Sequence, residues 1–342
     1  MKKKTIKRLV TLLAMAALVI LGVSSCAMLG NLFGNKNNTV TDVQISWDEA
    51  LTSGVTRITN DGLQKRTVKV SPDGTKLLYV EATKTNNWAI MYLKDANNPS
   101  KTPLIGEIAW SPSWYEDSTR FLYTSYERNA GRLVRSAVTG MGKTYINRTT
   151  IGDFDDAPII KGTKIVCSSR VNNQWQIVTV NEDGTQPTFM GQGLWPSWHP
   201  KENKIVFIRN PNDPSSNGGG SIYEMDMNSG QATQIYHDPQ SLCYTPSYSP
   251  DGKRILFAKD TEVRKTGTLT LQNIFGTTKS DISSEEEITH IFVMNADGTN
   301  VSPLSSGAGT VSSPSWGKNG EIFCLVGMPG QAKEIYKLTI RD

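Results

Sequence analysis

The stretch PSYSPDGKRILF, Pro246 to Phe257, reads as two strand pieces flanking a Pro-Asp-Gly turn. Proline presets the first turn dihedral and glycine accepts positive φ, so the chain reverses there at little cost. Echoes stand at VKVSPDGTKLLY (68–79), PSWYEDSTRFLY (112–123) and PSWHPKENKIVF (196–207). Anchoring each copy on its first residue, and adding two weaker copies, gives Val68, Pro112, Pro158, Pro196, Pro246 and Pro314. The spacings are 44, 46, 38, 50 and 68 residues. A period of this size marks a repeat architecture.

Each anchor is followed by a second β-type run: KLLYV, RFLYT, KIVCS, KIVFI, RILFA and EIFCL. A third run carries a shared Ile or Val pattern, as in QIVTV, SIYEM, HIFVM and EIYKL. Several third runs end in Asn/Asp-Gly turns suited to tight hairpins, such as NEDGT (181–185) and NADGT (295–299). Short fourth runs follow. The unit is a four-stranded meander that cannot bury both faces alone, so neighbours must stack. The expected fold is all-β, a six-bladed β-propeller of four-stranded blades. The last copy lacks a fourth strand, and a spare one, GVTRIT at about 54–59, precedes the first. It is expected to complete the last blade and so remove an exposed edge.

Ahead of the repeats stand a basic head, an apolar run from Leu9 to Val23, and Val23-Ser24-Ser25-Cys26. This is the layout of a signal peptide, and the last four residues resemble a bacterial lipobox. The resemblance implies cleavage before Cys26 and lipid attachment to it. The domains are then a leader at 1–25, a lipidated Gly/Asn-rich tether at 26–45 and a propeller at 46–342. Ala27 after the cysteine favours the outer membrane, with the domain in the periplasm or at the cell surface. Five of the 36 basic residues lie in the leader and no acidic one does, so the mature chain carries 31 against 32. That balance gives no support to a nucleic-acid partner.

The PS[WY]SPDG…IYxMNADGT pattern resembles the propeller repeat of TolB-like proteins over about 54–342. Copy three has lost the turn proline and aspartate, and copy six has GKNGE there. The resemblance implies a central channel that receives peptide segments from partners. The α/β domain of TolB has no room ahead of Gly54, so membership of the Tol–Pal system is not carried over.

Residues just before the anchors are expected to rim the channel mouth: Arg66, Trp110, Asp155, Asp156, Trp195 and Tyr244. Ordinary inner-strand packing accounts for the same residues equally well. Trp114, Trp198, Tyr248 and Trp316 share one repeat position and read as packing between blades. Asp73, Asp117 and Asp251 belong to the turns. Cys167 and Cys324 fall in a slot held elsewhere by Tyr79, Tyr123, Phe207 and Phe257, and are expected as buried thiols outside disulfide reach, as is Cys243 outside any disulfide. His199, His237 and His290 occupy different repeat positions, so no metal set is indicated. No nucleophile elbow or Ser-His or Cys-His pairing is evident, and no cofactor beyond the lipid is expected. The expected function is a monomeric, membrane-anchored envelope scaffold, not an enzyme, that binds a protein or peptide. A glycan-binding or glycan-cleaving propeller is the alternative. Loops between strands two and three, at about Thr261–Ile288 and Asn210–Gly220, are expected on the binding face.

Overall fold

The runs rich in Val, Ile, Tyr and Phe become strands, and each copy of the repeat makes its own antiparallel sheet. The computed structural model describes residues 45–82, 89–95, 101–105, 108–127, 130–146, 151–152, 154–210, 220–273, 276–328 and 331–341. Cys26, the leader and nearly all of the tether lie outside them, as does most of the Asn210–Gly220 loop.

Copy one pairs Lys65–Val70, Lys76–Ala82, Ala89–Asp95 and Lys101–Ile105 in that order. Copy two does so with Ala109–Trp114, Arg120–Glu127, Ala130–Ala137 and a two-residue Thr144–Tyr145. Copy three uses Phe154–Lys161, Lys164–Val171, Gln174–Asn181 and Thr188–Gln192. Copy four uses Leu194–Trp198, Lys204–Arg209, Ser221–Asp226 and Ala232–His237. Copy five uses Cys243–Tyr248, Arg254–Asn273, Gly276–Asn295 and Ser302–Pro303. Copy six supplies only Thr310–Trp316, Glu321–Gly327 and Glu334–Ile340. Its fourth place is taken by Thr52–Arg57, paired from Thr52↔Ile340 to Arg57↔Tyr336. The closing strand thus lies two residues earlier than the sequence pattern placed it. Ile45–Trp47, at the end of the expected tether, pairs with Ser305–Gly307.

Every apolar cluster among the described residues bridges adjacent copies, and one of them reaches from Trp175 of copy three across copy four to copy five. Leu78 and Val80 of copy one meet Phe121 and Tyr123 of copy two. Leu122 meets Ile165 and Cys167 of copy three, and Val166 meets Ile205 and Phe207 of copy four. Val206 and Ile208 meet Ile255 and Phe257 of copy five, and Leu256 meets Ile322 and Cys324 of copy six. Phe323 and Leu325 then meet Val68 and Tyr79 of copy one, and the ring is closed. The fold is an all-β propeller of four-stranded blades.

Cys167 and Cys324 fill the aromatic slot in the second strands, fully buried. Together with Cys243 they are free thiols, and burial pushes Cys243 up to about 12. The copy-five insertion is not a loop. Its strands stay paired from Arg254↔Asn295 out to Asn273↔Gly276. At about 3.3 Å per residue, the part beyond Asp260 is a ribbon about 40 Å long.

A buried ionic cluster sits where the ring closes. The fully buried Lys65 Nζ donates to Asp61 Oδ1 at 2.5 Å, the Leu63 carbonyl at 2.8 Å and Glu334 Oε2 at 3.1 Å. Glu81 Oε2 lies 3.6 Å away. Glu334 also accepts from Thr59 Oγ1 at 2.5 Å and the Gly62 amide at 2.8 Å. The cluster therefore ties copy one, copy six and the linker after the closing strand together. Burial works to raise the Glu334 pKa, but the bonds from Thr59, Gly62 and Lys65 outweigh it and hold the carboxyl below its usual value of 4.5.

Lys65→Ala strands two carboxylates in the core, and urea unfolding should register a loss of about 3–5 kcal/mol. A carboxylate held below its usual pKa stabilises the fold at neutral pH and loses that contribution as pH falls through the native value. The acid limb of stability below about pH 4.5 should accordingly flatten in Glu334→Gln; an unchanged limb would show that the cluster does not govern acid unfolding.

Candidate functional site

The first strands of all the copies line one cavity of about 980 Å³. Their common feature is a β-bulge. In copies two to six the residue before the anchor proline has left-handed φ: Ser111 48°, Ala157 49°, Trp195 52°, Thr245 46° and Ser313 49°. The pairing register slips there, for instance between Trp110 and Ser113 and between Tyr244 and Ser247. A bulge sets two residues against one and bends the strand. Consecutive residues consequently border the cavity, from Trp110 through Trp114 in copy two. Copy one departs, with Val68 in place of proline and its amide bonded to Ser313 Oγ at 3.2 Å.

Five of the six expected rim residues border this cavity: Arg66, Trp110, Asp156, Trp195 and Tyr244. The Arg66 guanidinium lies 4.8 Å from the Trp110 ring centre, and the Trp195 and Tyr244 rings pack at 5.6 Å. Asp156 accepts from Thr124 Oγ1 at 2.9 Å. Asp155 is a correction: it is fully buried and accepts from Ser169 Oγ at 2.6 Å. Adjacent strand residues point to opposite faces, so Asp155 and Asp156 could not both face the opening.

Lys69 is the wall residue that the sequence reading missed. Its amine has no hydrogen bond or ion pair among the described residues, and the side chain is half-buried on the cavity wall. Desolvation lowers its pKa from 10.5 to about 8. The side chain still borders the cavity, so its shielding is that of a channel wall and not of a sealed core. A recess of about 470 Å³ adjoins the cavity, lined by Trp110, Phe154, Trp175, Trp195, Asp156 and Arg170 among others. Arg170 Nε is buried there without a hydrogen-bond partner among the described residues.

The other conspicuous residues are structural. Indole Nε1 of Trp114 donates to the Lys69 carbonyl at 3.0 Å, and that of Trp316 to the Ser247 carbonyl at 3.2 Å. Each bond reaches back to the preceding copy. Tyr248 Oη does the same, donating to Glu224 at 2.7 Å. Asp117 accepts from the Thr119 amide and hydroxyl and from Arg120. Partial burial opposes the shift, but these bonds bring its pKa down to about 2. Asp73 and Asp251 serve their turns in the same way. Gly252 of the opening stretch has φ 82°, and a Cβ there would lie 2.4 Å from His199 Nε2. His199 is itself fixed by the Glu202 amide on Nδ1 and the Gly252 carbonyl at Nε2.

Two Ser–His contacts do form, against the sequence expectation: Ser221 with His237 at 2.8 Å and Ser305 with His290 at 3.2 Å. Both serines are buried, and neither borders the cavity. Among the described residues, no group of three or more His, Cys, Asp or Glu is placed to hold a metal ion.

No family model matches the sequence. The likeness to solved structures is one of fold. TolB from Acinetobacter baumannii superposes with a TM-score of 0.56 at 16% identity, over 76% of this chain and 59% of that one. This chain thus spans less than two thirds of that protein. An oligogalacturonate lyase from Vibrio parahaemolyticus gives 0.54 at 13% identity, over 88% of this chain and 97% of that one. A gluconolactonase from Xanthomonas campestris gives 0.56 at 11% identity, over 87% and 94%.

The indole bond separates Trp114 from Trp198, at the same repeat position, in a measurable way. Trp114→Phe should cost about 1 kcal/mol in chemical denaturation, because it strands the Lys69 carbonyl. Trp198 Nε1 is buried with no partner among the described residues, so Trp198→Phe should be neutral or stabilising.

Proposed function

We propose that the chain is a lipid-anchored protein of the bacterial cell envelope whose propeller, six-bladed and closed by Thr52–Arg57, holds a polypeptide segment at its axial cavity. It acts as a binding scaffold and not as an enzyme. The ring count is supported by one sheet for each repeat copy and by first strands that share a single cavity. The anchor is supported by the order of basic head, apolar run, small residues and Cys26.

The observation that carries the binding role is the cavity itself. Its volume of about 980 Å³ is that of a ligand site. Its wall mixes the aromatic faces of Trp110, Trp195 and Tyr244 with the charges of Arg66, Asp156 and Lys69. Large aromatics and arginine are the side chains that dominate recognition of polypeptides. The fold likeness to TolB supports the same direction. A second reading, binding of a glycan, draws on the Trp-lined recess with its Asp156 and Arg170 and on the fold likeness to the oligogalacturonate lyase.

A photo-crosslinking amino acid at Tyr244 of the full-length protein in cells should give a protease-sensitive adduct. The same group at the exposed Phe189, away from the cavity, should not give that adduct. A protease-resistant adduct at Tyr244 removed by glycosidases would favour the glycan reading, and no adduct would remove the polypeptide one. Separately, Cys26→Ser should abolish incorporation of a clickable fatty acid and release the domain from membranes; unchanged labelling would exclude Cys26 as the anchor.

A further inference from the structure

The charge of the cavity differs from that of the chain. The chain as a whole sets 36 Lys and Arg against 32 Asp and Glu, yet among the described residues the charged side chains bordering the cavity and its recess are Arg66, Lys69, Lys333 and Arg170 with a single carboxylate, Asp156. Asp156 is engaged by Thr124. Among the described residues the Lys69 amine has no partner, and the Arg66 guanidinium has only the Trp110 ring. Arg170 Nη2 donates to Asn173 Oδ1, which leaves Nε buried and unbonded. Lys333 Nζ donates to Ser312 Oγ at 3.3 Å.

A cationic group shielded from water without a partner, as the Lys69 amine and the Arg170 Nε are, is costly unless something supplies acceptors. Low-dielectric walls also focus the field of such charges and raise the local concentration of anions. Arg66 and Lys69 stand on copy one and Arg170 on copy three, so one compact anion could not meet all three. An extended chain with several acceptors could. We infer that the segment held at this cavity is an acidic peptide whose carboxylates meet Lys69, Arg66 and Arg170 while its apolar side chains lie on Trp110, Trp195 and Tyr244. This rests on the polypeptide-binding reading above and names the chemistry of the ligand.

The test is selection of a random dodecapeptide display library on the full-length protein in detergent. Three variants are run in parallel: Tyr244→Ala, Lys69→Gln and Arg66→Gln. Binders from the wild type should be several-fold enriched in Asp and Glu over the input library. A synthetic copy of the best binder should lose at least about tenfold in affinity, about 1.4 kcal/mol, when its carboxylates are changed to amides. Lys69→Gln should remove most of the acidic preference. Arg66→Gln, at an exposed site on the rim, should reduce it even if the Lys69 variant folds poorly. Tyr244-dependent binders with no acidic enrichment would overturn this inference and leave the scaffold reading standing. Acidic enrichment unaltered in both charge variants would also overturn it. Failure to select any binder sensitive to Tyr244→Ala would instead overturn polypeptide binding itself. Finally, an oligogalacturonide that displaces the peptide and binds more tightly than it would overturn the peptide assignment in favour of an acidic glycan.

Discussion

The ring holds only because Thr52–Arg57 fills the place that copy six leaves open. Without it, Glu334–Ile340 would present an unpaired edge, the standing hazard of sheet proteins. Hydrogen bonds alone would allow the strand to slip by two residues and keep its pairing. The ionic cluster removes that freedom. Lys65 can satisfy Asp61, the Leu63 carbonyl and Glu334 together only in one register, since Thr59 and Gly62 must reach the same carboxylate. A buried ionic group of this kind is worth less as net energy than as a specification of geometry. The apolar contact of Phe323 and Leu325 with Val68 and Tyr79 supplies the burial, and the charges fix where it occurs.

Much of this architecture was legible because a repeat reports the same environment several times. Tyr79, Tyr123, Phe207 and Phe257 identify an inward slot, so Cys167 and Cys324 in the same slot could be read as buried without any knowledge of packing. The position of Trp114 and Trp316 was read in the same way, and their indole bonds to the preceding copy explain the recurrence. The failures have equally local causes. Asp155 and Asp156 are neighbours in sequence, but they pair in regular register with Ser169 and Ser168, and the two-residue period of a strand sets them on opposite faces. Lys69 was passed over because it follows the anchor, and only the bulges show that the cavity wall continues past that point. The signal for them is the proline at five of the six anchors, since proline forgoes the ladder bond that a bulge breaks. The copy-five insertion has alternating Thr and Leu at 268–271, a strand pattern, but its length suggested a loop.

The proposed binding role rests on the surfaces that the repeat leaves variable. The strand skeleton and the packing aromatics are shared between copies, whereas the residues two before the anchors are Arg66, Trp110, Asp156, Leu194, Tyr244 and Ser312. A radial fold thus sets unlike side chains around one cavity while holding their backbones in like positions. The left-handed residues contribute to this. At about 1–2 kcal/mol each, they are tolerated because the neighbouring strands hold the bulge, and they turn the wall so that successive side chains border the opening.

The closing strand also governs the order in which the molecule can be made. Thr59 and Glu334 are separated by 275 residues, and such distant contacts are slow to form. As the chain is delivered, copy one emerges first, but the lysine at the head of its inner strand has no glutamate from copy six until the last repeat arrives. The first blade therefore waits with its ionic cluster incomplete, Lys65 facing Asp61 and Glu81 but not yet Glu334. Delivery is consequently the period in which the chain most needs protection from pairing with its neighbours.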